Sequence, residues 1–167
     1  IGYIGTIERL ELISNNLEIL SYLSKYFHPI IITNQSGIAR KFFTEKQHIE
    51  LTKHIHNILL RDYQIKILRT YYCPHHPDLP LNKHSSPCNC RKPKTGLFER
   101  AINDFKINVR KSISIGDKKR DIEPSIKLGF MENFLLSSEI DIFPKDKGFN
   151  YVSNLKQILS YKTIQNI

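Results

Sequence analysis

Apolar positions along the chain change their period repeatedly, and each change marks an element. In "NNLEILSYLSKYF" Leu17, Leu20 and Leu23 recur at helical spacing, with Ser14 or Asn15 available as the cap. "PIIITN" (29–34) is a short, continuous, β-branched run, which predicts a strand buried on both faces. Thr44 and Gln47 stand at capping-box spacing ahead of a helix whose apolar face carries Ile55, Ile58 and Leu59. "QIKILRTYY" (64–72) alternates as a second strand does, and "SISIGD" (112–117) and "NFLLS" (133–137) read as a third and fourth. Between them, Leu97, Ala101 and Phe105 predict a helix over 96–105 entered from Pro93. A helix near 121–128 stops at Gly129, and "SNLKQILSY" (153–161) reads as a terminal helix.

Strands that alternate with helices predict an α/β fold, a parallel sheet covered by helices on both faces. Without repeats or a low-complexity linker, residues 1–167 are expected to form a single domain. In such sheets ligands bind beyond the carboxyl ends of the strands. Two of the predicted strands end in polar or acidic residues, Thr33-Asn34-Gln35 and Asp117.

Composition narrows the class. Hydrophobic residues make up 40% and charged residues 25%, the balance of a globular protein. No apolar run approaches the ~20 residues a membrane span requires. The net charge of +9 points toward anionic partners, but most of the lysines are scattered. Arg91-Lys92-Lys94 and Lys118-Lys119-Arg120 are the exceptions, each beside a motif. An odd count of 3 cysteines argues against a disulfide framework and for a reducing compartment, hence a cytoplasmic protein.

All the thiols fall in "YYCPHHPDLPLNKHSSPCNCRKPKTG", residues 71–96. Cys73 and His75 make a C-x-H pair, and Cys88 and Cys90 a C-x-C pair. Zinc in structural sites takes four tetrahedral Cys or His ligands, so this Cys₃His set predicts a closed site with no place for an activated water. The polar, proline-rich segment inside 73–90 cannot build its own core, and metal binding supplies folding energy of about 10 kcal/mol in zinc peptides. A Cys88–Cys90 disulfide would be a strained ring and would leave Cys73 without a role. His76 and His84 are the competing nitrogen ligands, ranked below His75.

"TNQSGIAR", "CPHH…CNCRKPKTG" and "SISIGDKKRD", occurring in that order, resemble the D-glycero-D-manno-heptose 1,7-bisphosphate phosphatases of the haloacid dehalogenase superfamily. The related histidinol-phosphate phosphatases share much of the pattern. The resemblance runs from about Gly2 to Gly129 and implies a Rossmann-like α/β sandwich with a zinc-bound loop. It implies hydrolysis of a phosphate monoester through an aspartyl-phosphate, with magnesium offsetting the charge of nucleophile and phosphoryl group. The substrate would be a small sugar phosphate used in nucleotide-heptose synthesis for surface lipopolysaccharide. The protein would act as a monomer, without nucleic acid or membrane.

Residue by residue, Thr33 resembles the hydroxyl that hydrogen-bonds the transferring phosphoryl group, and Asn34, Gln35 and Ser36 its substrate-contacting neighbours. Lys92 resembles the lysine that neutralises that group, and Arg91 the substrate-recognition arginine. Asp117 matches the magnesium-binding aspartate, with Lys118 reaching toward substrate and Asp121 orienting the metal shell. Gly2 and Tyr3 resemble a Gly-Tyr pair in the substrate-binding loop. The family's nucleophile and acid/base residue lie in a D-x-D-G motif upstream of that pair, whereas the first aspartate here is Asp62. That strand is expected ahead of Ile1; a chain without it would be an inactive pseudo-phosphatase. A zinc-stabilised nucleic-acid-binding module is the reading of a different class, but the sequence lacks the basic, aromatic-interleaved stripe it requires.

Overall fold

The computed structural model describes residues 3–77, 87–137 and 148–165. The chain divides into two compact units, Ile1–Arg91 and Lys92–Ile167. The substrate-loop residue Gly2 and the competing ligand His84 lie outside the described residues.

The first unit contains α1 (Ser14–Leu23), β1 (Ile30–Asn34), α2 (Ser36–Ala39), α3 (Glu45–Tyr63) and β2 (Arg69–Cys73). The expected capping box starts α3. Thr44 Oγ1 accepts from the Gln47 backbone N–H at 3.2 Å, and Gln47 Oε1 accepts from the Thr44 backbone N–H at 2.7 Å. The helix ends at Gln64, whose left-handed backbone (φ 57°) turns the chain. Leu17, Leu59 and Ile65 form a core between α1 and α3, joined by Leu20, Ile55 and Ile67. Each fully buried side chain of this kind contributes roughly 1.5–3 kcal/mol.

β1 and β2 run parallel, with Thr33 opposite Tyr72 and Asn34 opposite Cys73. β2 begins later than the apolar alternation predicts. The Ile65 N–H closes the end of α3 on the Leu59 carbonyl, and Leu68 N–H donates to the Pro29 carbonyl. Ile65 and Ile67 therefore serve the helix core, and the ladder starts only at Arg69. β1 is half-buried at all five positions rather than buried on both faces.

The second unit contains α4 (Gly96–Phe105), β3 (Ile113–Gly116), α5 (Lys119–Lys127), β4 (Glu132–Leu136), β5 (Asn150–Val152) and α6 (Lys162–Gln165). β3, β4 and β5 form a parallel sheet in that order. Leu97, Phe98 and Ala101 are the buried residues of α4, and Ile122, Pro124 and Ser125 those of α5. Gly129 takes φ 76°, the left-handed conformation that lets the chain leave α5 for β4. The predicted terminal α-helix is instead a 3₁₀ turn over Leu155–Ser160, followed by α6. Its buried residues Leu155 and Ile158 are three apart, the spacing that stacks on one face of a 3₁₀-helix. Among the described residues no helix is long and apolar enough to cross a membrane.

Candidate functional site

The end of β2 carries the predicted metal cluster. Cys73 is the last residue of the strand and fully buried; His75 follows it, and the chain returns through Cys88 and Cys90. The ligand atoms of Cys73, His75, Cys88 and Cys90 all lie within 4.8 Å of one another. A tetrahedral zinc with thiolates at about 2.3 Å requires ligand–ligand edges of about 3.8 Å. Cys73 Sγ lies 3.7 Å from Cys88 Sγ and 3.6 Å from His75 Nδ1, His75 Nδ1 lies 3.2 Å from Cys90 Sγ, and Cys90 Sγ lies 2.9 Å from Cys73 Sγ. The three cysteines are free thiols, so the chain holds no Cys88–Cys90 disulfide.

The backbone is arranged for anionic sulfur. Cys73 Sγ accepts from the His75 N–H, and Cys88 Sγ from the N–H groups of Cys90 and Arg91. Burial, reinforced by Cys90 beside it, pushes the Cys73 thiol far up, and burial also raises Cys90. Crowded, desolvated thiols of this kind ionise together only around a cation, and a soft divalent metal fits the Cys₃His donor set. His76 is directed elsewhere: its Nε2 meets Arg40 Nη2 at 2.9 Å.

The cluster is tied to the turn that follows β1. Gln35 N–H donates to the Cys73 carbonyl at 2.8 Å, and Gln35 Nε2 donates to Thr33 Oγ1 at 3.0 Å. Arg91 reaches back to the metal loop, with Nη1 3.0 Å from the His75 carbonyl oxygen. The Tyr3 hydroxyl is held by Ser36, which pulls its pKa below the usual tyrosine value; the Arg40 and Arg91 charges act the same way against a partial burial cost. Thr33, Asn34, Gln35, Ser36, Tyr3 and Arg91 are thus all residues of the first unit, around one turn and one loop. Arg40 belongs with them and was not among the candidates from sequence.

The second unit brings Lys92, Asp117, Lys118 and Asp121 together at the carboxyl end of β3. Lys92, only 8% exposed, pairs with Asp121 (15% exposed) at 2.8 Å between Nζ and Oδ1. The other Asp121 oxygen accepts the Lys118 backbone N–H at 3.1 Å, so one carboxylate both closes the first turn of α5 and fixes the lysine. This close approach requires glycine at position 116, where an added Cβ would lie 2.5 Å from that of Asp121. Asp117 differs in kind. Its side chain is 69% exposed, and it pairs loosely with Lys118 Nζ (62% exposed), 3.7 Å away. An open carboxylate at a strand terminus is a hard oxygen ligand suited to magnesium.

Comparison with known proteins follows the same lines. Residues 9–155 match the polynucleotide kinase 3 phosphatase family. A relative from Escherichia coli O6:H1, a D-glycero-beta-D-manno-heptose-1,7-bisphosphate 7-phosphatase, is 37% identical over 164 residues, covering 95% of this chain and 86% of its own. The protein of the same name from Haemophilus influenzae is 35% identical over 148 residues, covering 88% of this chain and 79% of its own. Across curated relatives described as heptose-1,7-bisphosphate 7-phosphatases, the chain spans between 65% and 86% of their length. The crystal structure of D,D-heptose 1.7-bisphosphate phosphatase from B. bronchiseptica complexed with magnesium and phosphate superposes with a TM-score of 0.76 at 19% identity, over 95% of this chain and 89% of that one. That likeness establishes the haloacid dehalogenase-like α/β fold. By sequence and fold together, the chain belongs to the polynucleotide kinase 3 phosphatase family and, within it, to the D-glycero-D-manno-heptose 1,7-bisphosphate phosphatases.

Proposed function

We propose that the protein is a magnesium-dependent phosphoric monoester hydrolase that removes the 7-phosphate of D-glycero-D-manno-heptose 1,7-bisphosphate, in the cytoplasm and as a monomer. The observation that carries the reading is the pairing of an open carboxylate, Asp117, with a buried, charge-compensated lysine, Lys92, at one strand end. Phosphoryl transfer requires this combination of a metal ligand and a fixed cation, because charge must be offset where phosphate is attacked. Magnesium, held by Asp117, would supply Lewis-acid polarisation of the phosphoryl oxygens.

In this reading Lys92 binds the transferring phosphoryl group, and Asp121 holds it ionised and aimed. Thr33 hydrogen-bonds the same group through its hydroxyl. Asn34, Gln35, Ser36, Gly2, Tyr3, Arg91 and Lys118 contact the rest of the substrate. The route is an aspartyl-phosphate on a D-x-D-G aspartate preceding the Gly-Tyr pair, as in the family pattern. Zinc fills the Cys73, His75, Cys88 and Cys90 cluster as a structural ion. Residues 1–167 serve as one phosphatase domain, acting in lipopolysaccharide precursor synthesis without nucleic acid or membrane.

The test is phosphate release by the full-length protein, with magnesium, from heptose 1,7-bisphosphate and from histidinol phosphate in parallel. The expected result is a kcat/KM at least about tenfold higher on the bisphosphate, worth about 1.4 kcal/mol in transition-state binding. Equal or better turnover of histidinol phosphate would overturn the substrate assignment.

A further inference from the structure

Two arginines of the first unit are held by consecutive residues of the metal loop. Arg91 Nη1 donates to the carbonyl oxygen of His75 at 3.0 Å, and Arg40 Nη2 donates to Nε2 of His76 at 2.9 Å. Since a guanidinium can only donate, His76 is the acceptor in this contact, with its ring proton on Nδ1. Both arginines bear on the hydroxyl of Tyr3, which is also hydrogen-bonded to Ser36. Among the described residues, neither Arg40 nor Arg91 is ion-paired with a carboxylate.

Two guanidinium groups and two hydroxyls, with no carboxylate paired to them among the described residues, make a strongly electropositive cluster. Such a group gains most from an oxyanion presenting several acceptors, and the planar forks of arginine suit phosphate bidentately. Lys92, the lysine assigned to the reacting phosphate, already has its counter-charge in Asp121, whereas among the described residues these two cations have none.

We propose that Arg40 joins Arg91 in a clamp for the phosphate that is not transferred, and that the metal loop positions this clamp through the His75 carbonyl and the His76 imidazole. The proposal rests on the bisphosphate reading above and deepens it. It makes Arg40 a specificity-determining residue and His76 a positioning residue. It gives the closed metal site a purpose in recognition. It also separates the candidate substrates, because histidinol phosphate carries an ammonium in place of a second phosphate and is repelled by an arginine pair.

The experiment measures kcat and KM of the full-length, metal-loaded protein for heptose 1,7-bisphosphate and for heptose 7-phosphate. Arg40→Gln is expected to raise KM for the bisphosphate by about ten- to a hundredfold, the loss of a charge-assisted contact. KM for the monophosphate should change by less than about twofold, since that substrate never uses the clamp. His76→Leu should act in the same direction more weakly. His76→Gln should restore the wild-type ratio, because its amide oxygen offers an acceptor near the position of Nε2. Equal losses on both substrates, or on neither, overturn the proposal. If the wild-type protein hydrolyses neither ester, the phosphatase reading fails on its own. Calorimetric binding of the same two sugar phosphates to wild type and Arg40→Gln, without magnesium, then tests the clamp. A drop of tenfold or more confined to the bisphosphate supports it, and equal affinities for the two proteins contradict it.

Discussion

The two polar centres of this molecule are built on opposite plans. The cluster at the end of β2 is closed. Its four ligands face one another, Cys73 has no exposure, and backbone N–H groups point at the sulfurs. The centre at the end of β3 is open on one side. Asp117 projects into solvent, while the Lys92–Asp121 pair behind it is nearly buried. A filled tetrahedral shell can hold structure but cannot exchange a ligand for substrate, whereas an exposed carboxylate beside a fixed ammonium can. In the proposed reading, the contrast separates a metal that would organise the chain from one that would serve the reaction.

The sharpest way to break this contrast is to open the closed site. Cys88→Ser is expected to loosen the metal and to destabilise the protein by at least about 4 kcal/mol, the range seen when a structural metal is lost. A melting curve that becomes chelator-insensitive and moves down by many degrees would show it. An unchanged melting temperature would mean that the cluster is not a folding element.

The paired centre offers a finer comparison between two lysines. Lys92→Met leaves the Asp121 carboxylate almost buried with only a backbone N–H, and should cost about 3 kcal/mol in denaturant titration. Lys118→Met removes an exposed cation 3.7 Å from an exposed carboxylate and should cost less than about 1 kcal/mol. Similar costs for the two would contradict the assignment of Lys92 as a buried, compensated charge.

What was legible in the sequence followed from strong local rules. Three cysteines crowded into one loop have few physical explanations, and the Thr44–Gln47 capping box and the Gly129 stop rest on backbone chemistry. The alternation from Gln64 starts the strand too early, because Ile65 and Ile67 look the same whether they feed a ladder or a helix core. Only the left-handed turn at Gln64 distinguishes the two. β5 is three residues long, too short to carry a period of its own. Asp121 could be read as a helix cap or as a metal-shell residue. The structure shows it capping Lys118 and binding Lys92, a partner distant in sequence. Arg40 went unassigned although it closes "TNQSGIAR", because its neighbours Tyr3 and His76 are supplied by folding. His48 shows the same limit. Its buried ring packs against Tyr72, its Nε2 has no hydrogen-bond partner among the described residues, and burial lowers its pKa so that it stays neutral, none of which its sequence position reveals.

The most direct test of the account is a magnesium titration of phosphate release from heptose 1,7-bisphosphate by the full-length protein and by its Asp117→Asn variant. The wild type should depend saturably on magnesium. The variant should lose about a thousandfold in kcat/KM, matching several kcal/mol of metal-borne charge stabilisation, with its melting temperature unchanged. Turnover by Asp117→Asn at the wild-type rate and magnesium requirement would contradict the placement of the reaction at the open carboxylate.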